Sequence, residues 1–206
     1  RADLGAMLCA LRPGGDVAQR RLIAVLALAK VTVVIAGFVI NSLDPAWLTS
    51  LPTLTVANLI FAALLWHADR VGAVTRRIAE MRFGGAIVIG LAQCLALIPG
   101  ASRSGVTMTT ARYLAFERLA AARFSLLLSI PAIAGAGLLK GADIVADGDV
   151  ALGIDAALVC LLSFGFALAA IGWMMRWLAR ADFRVFVWYR FGLGALLLGA
   201  IAAGAI

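Results

Sequence analysis

Long apolar runs alternate along the chain with short polar connections rich in arginine. The runs at 22–40, 54–68, 124–139, 151–175 and 191–206 are each long enough to cross, or nearly cross, a hydrocarbon core about 30 Å thick as a helix. A sixth apolar stretch, 84–111, does not read as one helix. Pro99-Gly100 interrupts it, and Ser102, Arg103, Ser104, Thr107, Thr109 and Thr110 follow at once. Polar groups at membrane depth are tolerated only where protein or a water-filled cavity surrounds them. The pattern predicts an all-α polytopic membrane protein with about five transmembrane helices and one further, interrupted segment.

Composition agrees. Of 206 residues 64% are hydrophobic and 14% charged, too apolar for an ordinary soluble domain of this size. The chain opens on Arg1, with no basic region, short apolar stretch and cleavage site of a signal peptide, so it is expected to begin inside a longer protein. Cys9, Cys94 and Cys160 are odd in number, far apart and in apolar surroundings, which suits small fillers better than a disulfide framework or a metal site. The formal charge of +7 raises nucleic acid as a partner. The basic residues argue against it, because they form short clusters between apolar runs instead of covering one face.

Those clusters carry the topology. Of 18 Lys and Arg, four fall in 1–21, four in 69–83, three in 112–123 and four in 176–190. The connection 41–52 has none, and 140–150 has Lys140 beside Asp143, Asp147 and Asp149. Basic loops stay cytoplasmic. If 84–111 spanned once, the cluster at 112–123 would lie outside and the acidic loop inside. If it dips in and returns, all four basic clusters are cytoplasmic. The expectation is therefore one membrane domain over 1–206 with a re-entrant hairpin at 84–111 and Pro99 to Gly105 at its tip. Two cations then lie at membrane depth, Arg103 at the tip and Lys30 in the middle of the first run, each costing a few kcal/mol on insertion scales. Lys30 either snorkels, faces a cavity or has a function.

Pro99-Gly100-Ala101-Ser102-Arg103-Ser104-Gly105-Val106-Thr107 puts a turn, two glycines, three hydroxyls and a guanidinium before a short helix. Each part suits a phosphate. Gly100 and Gly105 let backbone N–H groups approach an anion, the helix N-terminus adds partial positive charge, and Arg103 presents a planar fork for two oxygens. Ser102, Ser104 and Thr107 add short donors. No base lies near these hydroxyls in sequence, so they are assigned to binding and positioning and not to nucleophilic attack. Arg103 is the expected catalytic residue, stabilising charge on a transferring phosphoryl group.

The run Gln93-Cys94-Leu95-Ala96-Leu97-Ile98-Pro99-Gly100-Ala101-Ser102-Arg103-Ser104-Gly105, with Phe124-Ser125, Pro131 and Tyr189-Arg190-Phe191, resembles the second half of the undecaprenyl-diphosphate phosphatase family, also called the bacitracin-resistance family. The resemblance implies a bacterial plasma-membrane enzyme of two inverted repeats, each with a re-entrant hairpin. Its activity would be hydrolysis of a prenyl diphosphate lipid carrier to the monophosphate and inorganic phosphate, in support of cell-wall synthesis. The family's first repeat, with its acidic motif, is expected upstream of Arg1, so the chain taken alone is expected to be inactive. Gln93 matches a position the family keeps polar, opposite that acidic motif, and would support the site. Thr32 stands near where the family often has proline, so nothing is carried over to Lys30. A diphosphate facing carboxylates calls for a bridging divalent cation, magnesium or calcium, for which this chain offers no ligand. The partners implied are the lipid substrate and membrane lipids, with oligomeric state left open. A transporter or lipid flippase for an anionic substrate is the rival reading, since broken helices with an intramembrane cation also serve transport.

Other signals carry less. His67, the single histidine, reads as interfacial, as do Trp47, Trp66, Trp173, Trp177 and Trp188 near the run ends. Gly135-Ala136-Gly137 lacks the preceding strand of a dinucleotide fingerprint. Asp143, Asp147 and Asp149 lack the turn glycine of a calcium loop.

Overall fold

A computed structural model describes residues 16–43, 50–147 and 150–204. Cys9, Trp47, Asp149 and the basic residues Arg1 and Arg12 lie outside them. The described residues form seven α-helices: α1 (Val17–Leu43), α2 (Leu51–Val71), α3 (Phe83–Cys94), α4 (Arg103–Tyr113), α5 (Arg118–Asp147), α6 (Val150–Leu178) and α7 (Arg184–Ala202). Two 3₁₀ turns, Ile78–Glu80 and Leu95–Leu97, flank α3. No strand occurs among the described residues, so the chain is all-α.

Four helical segments among them are long and apolar enough to cross a membrane: Leu51–Val71, Arg118–Ile144, Gly153–Leu178 and Arg184–Ala202. The 27-residue α1 covers the first apolar run and carries Lys30 near its middle. In α6 none of the most apolar stretch is buried, and Leu158, Leu161, Leu162, Phe164 and Phe166 stand open on several sides. Each such side chain would cost about 1.5 to 3 kcal/mol if left in water, so this helix needs lipid around it. One expectation is corrected. The acidic connection placed at 140–150 is helical through Asp147, with Lys140 paired to Asp143 at 3.2 Å one turn on. Lys140 and Asp143 are both exposed, and the i,i+3 spacing lets the pair prolong the helix beyond the apolar run.

Between α2 and α5 the chain makes a hairpin. Helices α3 and α4 have 12 and 11 residues, roughly 18 and 16 Å of rise, so neither crosses a bilayer alone. Their outer feet meet. The amides of Thr75 and Arg76 donate to the Ala115 carbonyl, Glu117 N–H donates to the Arg76 carbonyl at 2.9 Å, and Arg76 stacks over Phe116. A Cβ on Gly85 would touch Leu114. The hairpin seats on α1 through a core of Val25, Leu26, Ala29, Ala86, Ile89 and Phe124. Gly90 makes that contact close, since a Cβ there would lie 2.8 Å from the Ala29 carbonyl oxygen and 2.6 Å from Thr32 Oγ1.

Arg112 ties the feet to α2. Its side chain is 1% exposed and donates from Nη1 to the carbonyls of Ala73 and Phe116, and from Nη2 to those of Asp69 and Gly72. Its Nε lies 3.3 Å from Asp69 Oδ1. Asp69 also accepts from Arg118 Nε at 2.6 Å and from the Phe183 amide at 3.3 Å, so one carboxylate gathers the starts of α5 and α7. The charge count placed Arg112 in a basic cluster at the cytoplasmic interface; the structure buries it.

Single cysteines at Val74 and Tyr113, both more than 40% exposed, test the hairpin in a background lacking Cys9, Cys94 and Cys160. A membrane-impermeant maleimide is expected to label both from the same face. Labelling from opposite faces would make 84–111 a single span.

Candidate functional site

Between α3 and α4 the chain turns through Ile98-Pro99-Gly100-Ala101, closed by the Ala101 amide donating to the Ile98 carbonyl at 3.1 Å. Proline in second place and Gly100 at φ +91 in third are the requirements of a type II turn. Only glycine fits here for a second reason: a Cβ on Gly100 would collide with the Leu54 carbonyl oxygen in the first turn of α2. The loop therefore lies at the end of α2 opposite Gly72 and Arg112.

Ser102 follows at φ 66 and caps α4, its Oγ accepting from the Gly105 amide at 3.3 Å. A non-glycine residue there costs of order 1 to 3 kcal/mol, a strain that recurs at ligand-holding loops. The cap leaves the amides of Arg103 and Ser104 as first-turn donors with no intrahelical acceptor. Ser102 and Ser104 are exposed, their hydroxyls 3.4 Å apart, and Arg103 is half-buried beside them. Among the described residues no carboxylate pairs with Arg103. Lys30, the other cation expected at membrane depth, belongs to α1. Lys30 itself lines an apolar cavity of about 480 Å³ between α1 and α5, with Leu26, Val34, Leu127 and Pro131.

The residues assigned to phosphate from sequence do not all reach one surface. Ser102, Ser104 and Gly105 line a cavity of about 390 Å³ whose walls include Met108, Leu126 and Phe186. Gly105 lends this cavity room, not a donor, because its N–H is held by Ser102. Gly100 supplies the turn. Thr107 is placed apart from the open face: it is 1% exposed, and its hydroxyl lies 2.7 Å from Ser125 Oγ and within 3.1 Å of the carbonyls of Arg103 and Ser104. A threonine one turn into a helix back-bonds to the preceding turn in this way, so Thr107 supports the loop from behind. Gln93 is buried at the end of α3, and its amide group bonds no side chain or backbone among the described residues.

Three residues to which sequence reasoning gave no role in the site complete the geometry. Ser125 fixes Thr107. Arg190, counted from sequence with the cytoplasmic basic cluster, is buried on α7; its Nε donates to Asn58 Oδ1 at 2.8 Å and its Nη2 to the carbonyls of Gly100 at 2.7 Å and Ala101 at 3.2 Å. Asn58 returns a bond to the Arg190 carbonyl at 2.9 Å. Asn58 is a polar residue in mid-run, and that was the signal available for it.

Hydroxyls, amides and guanidinia form a donor set for an anion. They do not fit a divalent cation, and no group of three His, Cys, Asp or Glu comes together among the described residues. No step of the chemistry is assigned to a metal.

The model of the bacitracin resistance protein BacA family matches residues 4–196. An undecaprenyl-diphosphatase of Gloeobacter violaceus is 41% identical over 206 residues, covering 98% of this chain and 71% of its own length. Undecaprenyl-diphosphatase 1 of Rhodospirillum rubrum is 46% identical over 154 residues, 75% of this chain and 55% of that protein. An undecaprenyl-diphosphatase of Ruegeria pomeroyi is 38% identical over 201 residues, 97% of this chain and 75% of that protein. The chain thus spans between about half and three quarters of the length of these relatives. With its interrupted hairpin, its Ser-Arg-Ser loop and a family match over nearly its whole length, this chain belongs to the bacitracin resistance protein BacA family.

Proposed function

We propose that the protein is an integral membrane phosphatase of the bacterial plasma membrane that hydrolyses undecaprenyl diphosphate to undecaprenyl phosphate and inorganic phosphate, recycling the lipid carrier of cell-wall synthesis. The observation that carries this reading is the loop itself. Exposed Ser102 and Ser104 line, with Arg190, a cavity whose other walls are mostly apolar, and Arg103, with no described carboxylate to pair with, stands between the two serines in the loop. Such a site suits an anionic head on a hydrocarbon chain.

In the reaction water oxygen bonds to the terminal phosphorus as the bond from that phosphorus to the bridging oxygen breaks, and the bridging oxygen leaves on the lipid monophosphate. Arg103 holds two oxygens of the transferring group in the plane of its guanidinium, the amides of Arg103 and Ser104 face the same charge, and the two serines orient it. Thr107, through Ser125, keeps the first turn of α4 in place. No described residue next to these hydroxyls can take their proton, so attack is assigned to groups beyond this set.

The full-length protein in proteoliposomes, given a long-chain prenyl diphosphate, is expected to release inorganic phosphate. Movement of labelled lipid across the bilayer with no phosphate released would replace this reading with that of a transporter for an anionic lipid.

A further inference from the structure

The guanidinium of Arg190 is only partly used by the protein. Its Nε N–H goes to Asn58 and its two Nη2 N–H groups go to the carbonyls of Gly100 and Ala101. Those bonds hold the turn and account for one edge of the group. The remaining arm, Nη1, is buried and has no hydrogen-bond partner among the described residues. It points at the first turn of α4, where it would lie 2.8 Å from a Cβ built on Gly105.

A side chain that only propped the loop would have no reason to aim a bare, charged donor there. An unsatisfied buried donor is costly, more so when charged, and a buried guanidinium without a carboxylate needs an anion. The arm meets none among the described residues. Beside it stands the positive end of α4, whose first residue is Arg103. Two elements, α4 and α7, thus bring positive charge to one cavity, and a polyanion between them relieves both.

We infer that Arg190 is a second phosphate-contacting guanidinium, whose Nη1 arm holds the diphosphate from the α7 side while Arg103 holds it from the other. This rests on the loop being the phosphate site proposed above. It explains why glycine stands at 105: any larger residue would occupy the space through which Nη1 reaches. It also couples the two duties of Arg190, because the same plane that orders the Gly100 and Ala101 carbonyls sets the direction of the free arm.

Inorganic pyrophosphate is the probe, bound to the full-length protein in detergent and followed by calorimetry, with the melting temperature of each ligand-free variant measured alongside. Arg190→Lys is expected to weaken pyrophosphate binding about 10- to 100-fold, the worth of one charged hydrogen-bonding arm. Gly105→Ala is expected to weaken it too while keeping the helix, since alanine favours it and the added Cβ presses first on Nη1, at 2.8 Å, with Ser102 at 3.3 Å as its other near neighbour. A lower melting temperature in Arg190→Lys with unchanged affinity would make Arg190 a prop alone. If Arg190→Lys does not fold, Gly105→Ala decides: unchanged affinity overturns the inference and weakened affinity supports it. Unchanged affinity at Arg190 and Gly105 beside a loss in Arg103→Lys overturns this assignment only; unchanged affinity in Arg103→Lys as well removes the phosphate site itself.

Discussion

Replacing Arg103 by lysine in the full-length protein is expected to cut turnover of a long-chain prenyl diphosphate about 100- to 1000-fold, or roughly 3 to 4 kcal/mol of transition-state stabilisation. The charge survives this change and the geometry does not. A guanidinium presents a rigid planar fork that meets two phosphate oxygens together, whereas an ammonium is a compact point charge that must choose. In the structure Arg103 opens the first turn of α4 beside the exposed hydroxyls of Ser102 and Ser104, with no carboxylate among the described residues to hold it back from a ligand. Arg103→Ala should be at least as damaging. Ser102→Ala should be milder in rate, as a neutral donor contributes less than a charged fork, but it also removes the cap of α4, worth about 1 kcal/mol. Phosphate release at matched membrane levels reads all three. Arg77→Lys is the control, since that side chain is 80% exposed and its ion pair to Glu117 spans 3.6 Å. Near-normal turnover by Arg103→Lys would remove the two-oxygen clamp from the mechanism.

Arg112 is expected to matter as much for stability as Arg103 does for rate. At the cytoplasmic interface, where the charge count placed it, it would accept lysine almost silently. In the structure its two terminal nitrogens donate to four carbonyls contributed by the end of α2 and by both feet of the hairpin. Lysine has one nitrogen and cannot span them. Arg112→Ala leaves Asp69, 8% exposed, short of one of its two cations and strips those carbonyls as well. Removing one partner of a buried pair typically costs about 3 to 5 kcal/mol, a large part of the stability of an ordinary domain. Thermal unfolding of purified full-length protein should show a marked drop for Arg112→Ala and a smaller but clear one for Arg112→Lys. A melting curve for Arg112→Lys that overlays the parent would show that the network carries no stability.

These two arginines mark how far charge counting reaches. Fifteen of the eighteen basic residues fall in four clusters between apolar runs, and membrane topology follows from such clusters because moving several cations across a bilayer is expensive whatever they touch afterwards. The count works on the sum. It says nothing about the members, and two of them, Arg112 and Arg190, are folded inward to bond carbonyls. The same limit applies to the loop. The motif indicated an anion site, yet Thr107 turns behind it, because side-chain direction on α4 depends on helix rotation and on what α5 offers, here Ser125.

From the sequence alone came the all-helical membrane class, the interruption at Pro99-Gly100 and the proposal that Ser102, Arg103 and Ser104 bind an anion. All of these are local: apolar run length, the dihedral limits of proline and glycine, and the donors carried by adjacent residues. Only the tertiary structure could bring Arg190 and Asn58, 132 positions apart, into one hydrogen-bonded pair, and set the Arg190 guanidinium against a loop about ninety residues earlier. It likewise decided that Asp69 joins three elements. Such pairings depend on which faces of α2, α4, α5 and α7 pack together. Helix packing is settled by side-chain shape and close approach across the whole bundle, and no local spacing encodes it.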